Sequence, residues 1–473
     1  MARADSDVVR VDGAGGGGGL DRFFRISERG STVRTEIVAG ITTWLTMAYI
    51  LFVNPAILGF AAVPDLQPLG LPFEQVLTVT ALVAGLATIA MGLYANYPFA
   101  IAAGLGLNAF VAFNLVVDRG LTFPEAMGVI VVEGIVITIL VLTNVRELIM
   151  NAIPKDLKLA IGIGIGLFLV IIGLQSAGVV VDSPATLVTL STDLTTLRML
   201  VFGVGLIVTF VLVARGIRGG LLLSILATTI FAVVLNEVWG DGALWSTGAA
   251  TIPEKIVASP DFGLVGDFSF GFFSKLGIVA ALVPIIAVML SDFFDTMGTA
   301  VSLADEADLL NEDGTLPDAK KVLVVDSLAA VAGGAASSSS NTTFIESASG
   351  IAEGGRTGLT SVVVGVLFLL CLFISPLAGV IPPEATAPVL IVVGYLMMRA
   401  AADVQWRDPA IGIPALLTIA LMPFTYSITN GIGAGFLAFT IIKVSQGKAR
   451  EVHWLLYAIA GIFAWYFLKG QIG

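Results

Sequence analysis

Two aspartates lie inside an apolar stretch, residues 277–302, that is long enough to cross a bilayer: Asp292 and Asp295. A carboxylate near the middle of a membrane-spanning helix costs about 2.5–3.5 kcal/mol on insertion scales, so it usually persists because it faces a cavity, a partner or a substrate. A third acid, Glu346, lies in the small, polar segment 337–350, which has apolar segments on both sides. Acids at membrane depth, one of them in a broken helix, predict a transport site.

The sequence SDFFDTMGT makes Asp295 the first candidate, because Gly298 lets a ligand or another backbone come close. A buried carboxyl can take up and release a proton, and an ionised one can accept hydrogen bonds from adjacent N–H donors of a planar ligand. We therefore predict that Asp295 binds substrate and takes part in proton coupling. The alternative is a structural acid capped by hydroxyls.

Asp292 lies three residues earlier and shares part of the same helical face. We predict coupling for Asp292 too, but a structural role is about as strongly indicated.

Glu346 follows a run of small and hydroxylated residues, 335–341, that can be extended, with its backbone paired to a partner strand. Irregular backbone at membrane depth is tolerated only where protein or water satisfies it. Glu346 would then lie near the first turn of a half-helix, where the positive end of the helix dipole favours an anion. We predict that Glu346 binds substrate and carries the coupling proton, and that Thr343 belongs to the same binding site. A soluble linker is the alternative interpretation of the serine run.

The first half of the chain has a counterpart in Asn108, within the sequence GLGLNAF that starts at Gly104. Its carboxamide offers both a donor and an acceptor, which matches the edge of a heterocycle. Substrate binding is the prediction, and a hydrogen bond between helices is the alternative. Glu133 is a further acid at membrane depth, and we interpret it as structural.

The composition predicts an all-α polytopic membrane protein. The 473 residues are 57% hydrophobic and 12% charged, with a mean hydropathy of +0.97, whereas soluble domains are about a quarter charged. One cysteine, Cys371, and one histidine, His453, exclude disulfide frameworks, His/Cys zinc sites and Ser-His catalysis. The sequence carries no metal cluster or cofactor motif, so we predict no enzyme. The net charge of −11 arises mostly in loops and does not suggest a nucleic-acid partner.

Fourteen spans are predicted, in two sets of seven separated by the longest loop. Because seven spans is an odd number, the two sets must have opposite orientations, which is an inverted repeat. The third span of each set is short and broken, and this pairing is the best sequence indication of a transporter's binding site. The spans lie at 36–58, 75–94, 98–115, 123–143, 157–178, 197–214 and 218–238, then at 275–301, 321–335, 342–352, 357–379, 385–402, 409–426 and 429–445.

The predicted domains follow from these spans. They are a disordered cytoplasmic tail, the first repeat, an extracytoplasmic loop, the second repeat and a C-terminal helix, at 1–35, 36–239, 240–272, 273–445 and 446–473. With a cytoplasmic N-terminus, nearly all Lys and Arg residues near the span ends lie inside, as expected for membrane proteins. The exceptions in the interior loops are Arg119, Arg198, Lys255 and Lys275. For 452–468 an interfacial or terminal packing helix is favoured over a fifteenth span, so both termini are predicted to be cytoplasmic.

At these residues the sequence resembles the nucleobase:cation symporter 2, or nucleobase-ascorbate transporter, superfamily, and within it the AzgA-like hypoxanthine/guanine/adenine permease branch. The resemblance covers the chain from Thr35 to about Val444. In that superfamily, uracil and xanthine relatives carry a glutamate where Asp295 aligns and an acid or a glutamine where Glu346 aligns. The motifs that carry the resemblance are TEIVAGITTWLTMAYILFVNP (35–55), AGLGLNAF (103–110), DFFDTMGT (292–299), SSNTTFIESASGIAEGGRTGLTSV (339–362) and MPFTYSITNGIGAGF (422–436).

The resemblance implies a core domain of spans 1–4 and 8–11 and a gate domain of spans 5–7 and 12–14. It also implies short antiparallel strands in spans 3 and 10 that meet at mid-membrane, and a homodimer. The implied function is import of purine nucleobases across the inner or plasma membrane by proton symport with alternating access. An anion transporter or channel of the same fold and a sodium-coupled nucleobase transporter are the alternatives. Which purine is preferred stays open.

Overall fold

The computed structural model describes residues 19–61, 63–143, 153–183, 186–240, 244–245, 249–252, 255–311 and 315–469. Within these residues, ten helices are long and apolar enough to cross a membrane. The other spans are shorter because their helices are broken or end early. The predicted all-α polytopic fold with two seven-span repeats is confirmed.

In the first repeat, a capping box formed by Thr122 and Glu125 starts span 4, and the Thr196 side chain caps span 6. Span 1 is two consecutive helices, Val33–Met47 and Ile50–Leu58, and span 3 begins with a strand, β1, Ile101–Ala103. The spans are Val33–Leu58, Phe73–Ala95, 101–118, Phe123–Leu142, Lys155–Ser176, Leu197–Ala214 and Gly220–Trp239.

In the second repeat, span 8 is the longest helix, and span 10 begins with a strand, β4, Asn341–Thr343. Span 10 then continues through a short 3-10 turn into the helix Ala348–Ala352. The spans are Ile278–Glu306, Ala319–Ala335, 341–352, Gly358–Leu377, Pro383–Asp403, Pro409–Phe424 and Ile428–Ser445.

The two broken spans are joined by the short antiparallel strands that the family resemblance implies. β1 pairs antiparallel with β4, in a register that places Ile101 opposite Thr343 and Ala103 opposite Asn341. The main chain continues the pairing beyond both ends, since the Gly104 N–H donates to the Ser340 carbonyl over 2.9 Å. The half-helices of spans 3 and 10 start next to this ladder, so each repeat contributes one strand and one helix start to the same place.

The helices form two packed sets. Spans 1–4 contact spans 8–11, and spans 5–7 contact spans 12–14. In the first set, Gly92 of span 2 lies against the backbone of Gly358 in span 11. In the second set, Gly166 of span 5 lies against the backbone of Gly394 in span 12. At both places the backbones are so close that a side chain on either glycine would collide, so helix packing depends on glycine there.

Residues 19–35 of the predicted disordered tail are ordered, which corrects that part of the prediction; residues 1–18 lie outside the described residues. Gly19–Phe24 is a helix. Phe24 and Ile26 are buried against Leu359 of span 11. The tail folds because it carries apolar side chains that the core covers, although its polar composition suggested disorder.

The C-terminal helix, Trp454–Lys469, packs along span 14 and runs antiparallel to it. Near its start, the Tyr457 hydroxyl donates to the Ala449 carbonyl, and near its end the Tyr466 hydroxyl donates to Asn430 Oδ1 over 3.3 Å. Because Asn430 lies in the first turn of span 14, the helix returns over the full length of that span. Phe463 is fully buried on the packed face.

A hairpin between spans 5 and 6 was not predicted. Its strands are β2, Val180–Ser183, and β3, Leu187–Leu190, and they pair antiparallel. All β3 side chains are exposed. The hairpin therefore lies on the surface and does not contribute to the site.

Candidate functional site

A cavity of about 460 Å³ opens beside the paired strands and continues into a smaller one of about 100 Å³. The larger cavity extends from the start of the span 3 half-helix to Lys155 and Lys158 at the start of span 5. The smaller one reaches into the segment that links β4 to the span 10 half-helix. Both are lined by Gly104, Gly106, Asp295, Thr299 and Met397.

Asp295 lines both cavities, and its side chain is exposed to them. A side chain added at Gly298 would meet no atom, so the space beside this turn of span 8 is open, as the sequence predicts. A carboxylate here can meet a ligand directly.

Glu346 lines the smaller cavity opposite Asp295, and the two carboxyl groups are close enough to interact electrostatically. The Tyr49 hydroxyl donates a hydrogen bond of 2.5 Å to Glu346 Oε1. Tyr49 is only 1% exposed and lies where the two helices of span 1 meet. Sequence reasoning missed Tyr49, although a tyrosine at the interruption of an apolar span was a signal that could have found it.

Thr343 also lines the smaller cavity, but its polar groups already form hydrogen bonds within the protein. Its N–H and its hydroxyl both donate to Asp326 Oδ1, each over 2.8 Å. Asp326 lies in span 9, is 4% exposed and was not among the predicted site residues. It anchors β4 to the neighbouring helix, and thereby fixes the strand that positions Glu346.

Asp292 lies one turn from Asp295 but does not line the cavity. It is 1% exposed, and its Oδ2 accepts from the Ser340 hydroxyl over 2.8 Å. The structure therefore separates the two aspartates: Asp295 faces the cavity, and Asp292 faces the protein behind span 8.

Asn108 is fully buried and is not among the residues that line the cavity. Within the described residues, neither its carboxamide oxygen nor its nitrogen has a hydrogen-bond partner. The structure thus brings Asp295, Glu346 and Thr343 together at one cavity and leaves Asn108 beside it. Substrate binding by Asn108 stays a prediction.

The site offers two carboxyl groups as hydrogen-bond acceptors between two half-helix starts, in a cavity that is otherwise mostly apolar. Gly104 and Phe344 also line the smaller cavity, and their N–H groups are bonded to the Ser340 and Ala100 carbonyls of the strand ladder. Such an arrangement suits a small, flat, polar heterocycle better than an inorganic anion, since the carboxylates repel anions.

Comparisons with known proteins find relatives that match nearly the whole chain. The adenine permease AdeP of Escherichia coli (strain K12) is 40% identical over 448 residues, which are 95% of this chain and 96% of that protein. The guanine/hypoxanthine permease PbuG of Bacillus subtilis (strain 168) is 40% identical over 456 residues, which are 95% of this chain and 99% of that protein.

Two solved structures share the fold at low sequence identity. The transmembrane domain of the cyanobacterial bicarbonate transporter BicA superposes with a TM-score of 0.61 at 16% identity, covering 85% of this chain and 97% of that one. The murine anion transporter Slc26a9, solved in the inward-facing state, gives a TM-score of 0.60 at 11% identity, covering 87% and 68%.

The sequence model described as "Permease family" matches residues 34–434, which is most of the chain. The chain is thus a multi-pass membrane permease, and it belongs to this family within the nucleobase:cation symporter 2 superfamily.

Proposed function

We propose that the protein imports purine nucleobases, among them hypoxanthine, guanine and adenine, by proton symport with alternating access. The observation that carries this proposal is the smaller cavity at the β1–β4 junction, which both Asp295 and Glu346 line. The names of the 40%-identical relatives, an adenine permease and a guanine/hypoxanthine permease, support the substrate class.

In the proposed binding mode, the purine lies between spans 3, 8 and 10. Its N–H groups donate to Asp295 and Glu346, and Tyr49 holds the Glu346 carboxylate in place through their hydrogen bond. Thr343 contributes to the shape of the cavity, because its N–H and its hydroxyl are both bonded to Asp326. For Asn108 we propose contact with substrate only in a conformation in which span 3 has moved.

In the proposed mechanism, spans 1–4 and 8–11 form a core domain that moves against a gate domain of spans 5–7 and 12–14. The structure supports this division through its two packed sets of helices. The cavity ends at Lys155 and Lys158, which the Lys/Arg distribution places on the cytoplasmic side. We therefore interpret this conformation as open to the cytoplasm, where substrate and proton leave.

The described cavity argues against an inorganic anion as substrate. Anion sites use Arg, Lys and helix starts without acids nearby, whereas this cavity presents two carboxyl groups. The likeness to BicA and Slc26a9 concerns the fold alone, at 16% and 11% identity.

We propose the cell membrane as the location, with the N-terminal side of span 1 in the cytoplasm, and a homodimer as the assembly. The packing of the C-terminal helix favours an extracytoplasmic C-terminus, whereas a cytoplasmic one was predicted. Tyr466 meets the extracytoplasmic start of span 14, so we propose that this helix crosses the membrane as a fifteenth segment.

The test is uptake of radiolabelled hypoxanthine and adenine by cells without their own purine permeases, with and without a protonophore. We expect uptake by the wild type that the protonophore abolishes, and loss of at least tenfold in Asp295→Asn and Glu346→Gln. Asp182→Asn, a change on the exposed hairpin, serves as the matched control and should transport normally.

Purine uptake that ignores the protonophore but needs sodium would refute proton symport. No purine uptake by well-expressed protein would refute the substrate class. Full proton-dependent accumulation in Glu346→Gln would refute the role of that residue.

A further inference from the structure

A second group of acids lies behind span 8, on the side away from the cavity. Glu133 of span 4, Asp292 of span 8 and Asp326 of span 9 are 0%, 1% and 4% exposed. Glu133 and Asp292 interact electrostatically, as do Asp292 and Asp326. The helices can approach because Gly134, next to Glu133, lies directly against the backbone of span 9.

The hydrogen-bond donors around these acids are distributed unevenly. Asp326 accepts three hydrogen bonds, two from Thr343 and one from the Thr296 hydroxyl, each over 2.8 Å. Asp292 accepts one from Ser340 over 2.8 Å; the Thr296 hydroxyl lies 3.5 Å from its Oδ1 but has its single proton directed at Asp326. Glu133 accepts none from a hydroxyl or N–H donor among the described residues; its partner is the Asp292 carboxyl, and two carboxyl groups form a hydrogen bond only when one of them carries a proton.

This distribution determines where negative charge can reside. Hydrogen bonds to an ionised carboxylate stabilise it, so Asp326 is the member of the group best able to stay charged. A buried carboxylate without donors, facing a second carboxylate, is strongly unfavourable unless a cation or a proton compensates it. Within the described residues, no ion pair involves these acids.

A proton fits this position better than a metal ion. Among the described residues, no group of three or more His, Cys, Asp or Glu side chains is arranged to hold a metal. A proton on Glu133 or Asp292 would convert one acid into an O–H donor for the other and satisfy the unpartnered Glu133 oxygens. The two carboxyl groups then share one proton, with Asp326 and Asp295 as the neighbouring acids.

We propose that Glu133 and Asp292 together form the binding site of the co-transported proton, separate from the substrate cavity. This inference rests on the proposed proton-coupled purine transport and identifies where the coupled proton binds. Two connections link the proton to substrate: one turn of span 8 joins Asp292 to Asp295, and Thr343 joins Asp326 to the strand before Glu346. Loss of the proton would leave two charges in contact, which favours moving spans 4, 8 and 9 toward water.

The test uses purified full-length protein in proteoliposomes and compares two activities. Adenine–adenine exchange needs no net proton movement, whereas accumulation of adenine against its gradient is driven by an imposed pH gradient. For Glu133→Gln we expect exchange within about twofold of wild type, accumulation lowered at least tenfold, and transport that no longer changes between pH 5 and 8. Glu133→Asp should restore coupling. Glu237→Gln, at an exposed acid near the end of span 7, should behave as wild type.

A second measurement uses the wild type alone. Dicyclohexylcarbodiimide reacts with protonated carboxyl groups in apolar surroundings, and mass spectrometry locates the adduct. We expect labelling of Glu133 or Asp292 that declines as the pH is raised. This measurement stays informative when Glu133→Gln fails to fold.

Wild-type-like accumulation and pH response in Glu133→Gln would overturn the inference, as would equal loss of exchange and accumulation in a protein with unchanged melting temperature. Absence of labelling at both residues would overturn it too. If the wild type itself moves no purine, the proposed function fails, and that outcome is distinct because it appears in the wild type.

Discussion

The contact between Tyr49 and Glu346 allows a quantitative test of the proposed substrate site. Replacing Tyr49 by phenylalanine removes one hydroxyl and keeps the ring, so packing around this buried side chain changes little. The lost interaction is a hydrogen bond of 2.5 Å to a carboxylate oxygen. Hydrogen bonds to charged groups contribute about 1.5–3 kcal/mol.

Because Glu346 is only partly buried and faces the cavity, the lower end of that range applies, about 1.5–2 kcal/mol. Without the hydroxyl, Glu346 loses the donor that fixes its orientation toward substrate. We expect the KM for adenine uptake to rise about 10–30-fold at equal expression, since about 1.4 kcal/mol corresponds to a factor of ten.

The assay is initial-rate uptake over a range of adenine concentrations, with surface expression measured in parallel. Tyr395→Phe, at an exposed tyrosine of span 12, is the matched control. A double-mutant cycle adds specificity: in a Glu346→Gln background, Tyr49→Phe should have much less effect, because its acceptor is altered. A KM within twofold of wild type, or equal effects in both backgrounds, would refute the assignment.

Two further predictions concern packing and topology. Gly134→Ala places a methyl group against the backbone at Val331, so we expect about 1–3 kcal/mol of destabilisation and a lower melting temperature in detergent. The control is Gly203→Ala, where a side chain would meet no atom, and it should not lower the melting temperature. Equal melting temperatures for the two variants would contradict this account of the helix contact. Leu468→Cys lies at a 66% exposed position near the end of the C-terminal helix, so it should react with a membrane-impermeant maleimide added outside intact cells. The background should be low because Cys371 is buried. Reaction only after permeabilisation would show that the helix does not cross the membrane.

Much of the fold could be predicted because the membrane restricts what a sequence can do. A segment at membrane depth must satisfy its backbone internally, so long apolar runs predict helices and their positions. Observed spans 6 and 13 begin at the residues predicted, 197 and 409. The hairpin β2–β3 was missed because it lies on the surface and short strands carry little signal.

For the candidate site, the sequence predicted the acids but not their surroundings. The cost of a carboxylate in an apolar span marks Asp292, Asp295 and Glu346 without any structure. It does not show which way each one faces. Their separation into a cavity-facing Asp295 and a buried Asp292 depends on how spans 4 and 9 pack behind span 8.

The sequence by itself therefore determined the fourteen spans of the two repeats, their order and the presence of acids at membrane depth, because hydropathy and charge act locally along the chain. The tertiary structure decided which residues meet. Tyr49 and Glu346 are 297 positions apart, and Asp326 and Thr343 meet only because β4 pairs with β1 beside span 9. Broken spans lack a continuous helical period, so no sequence pattern fixes the directions of their side chains; packing does.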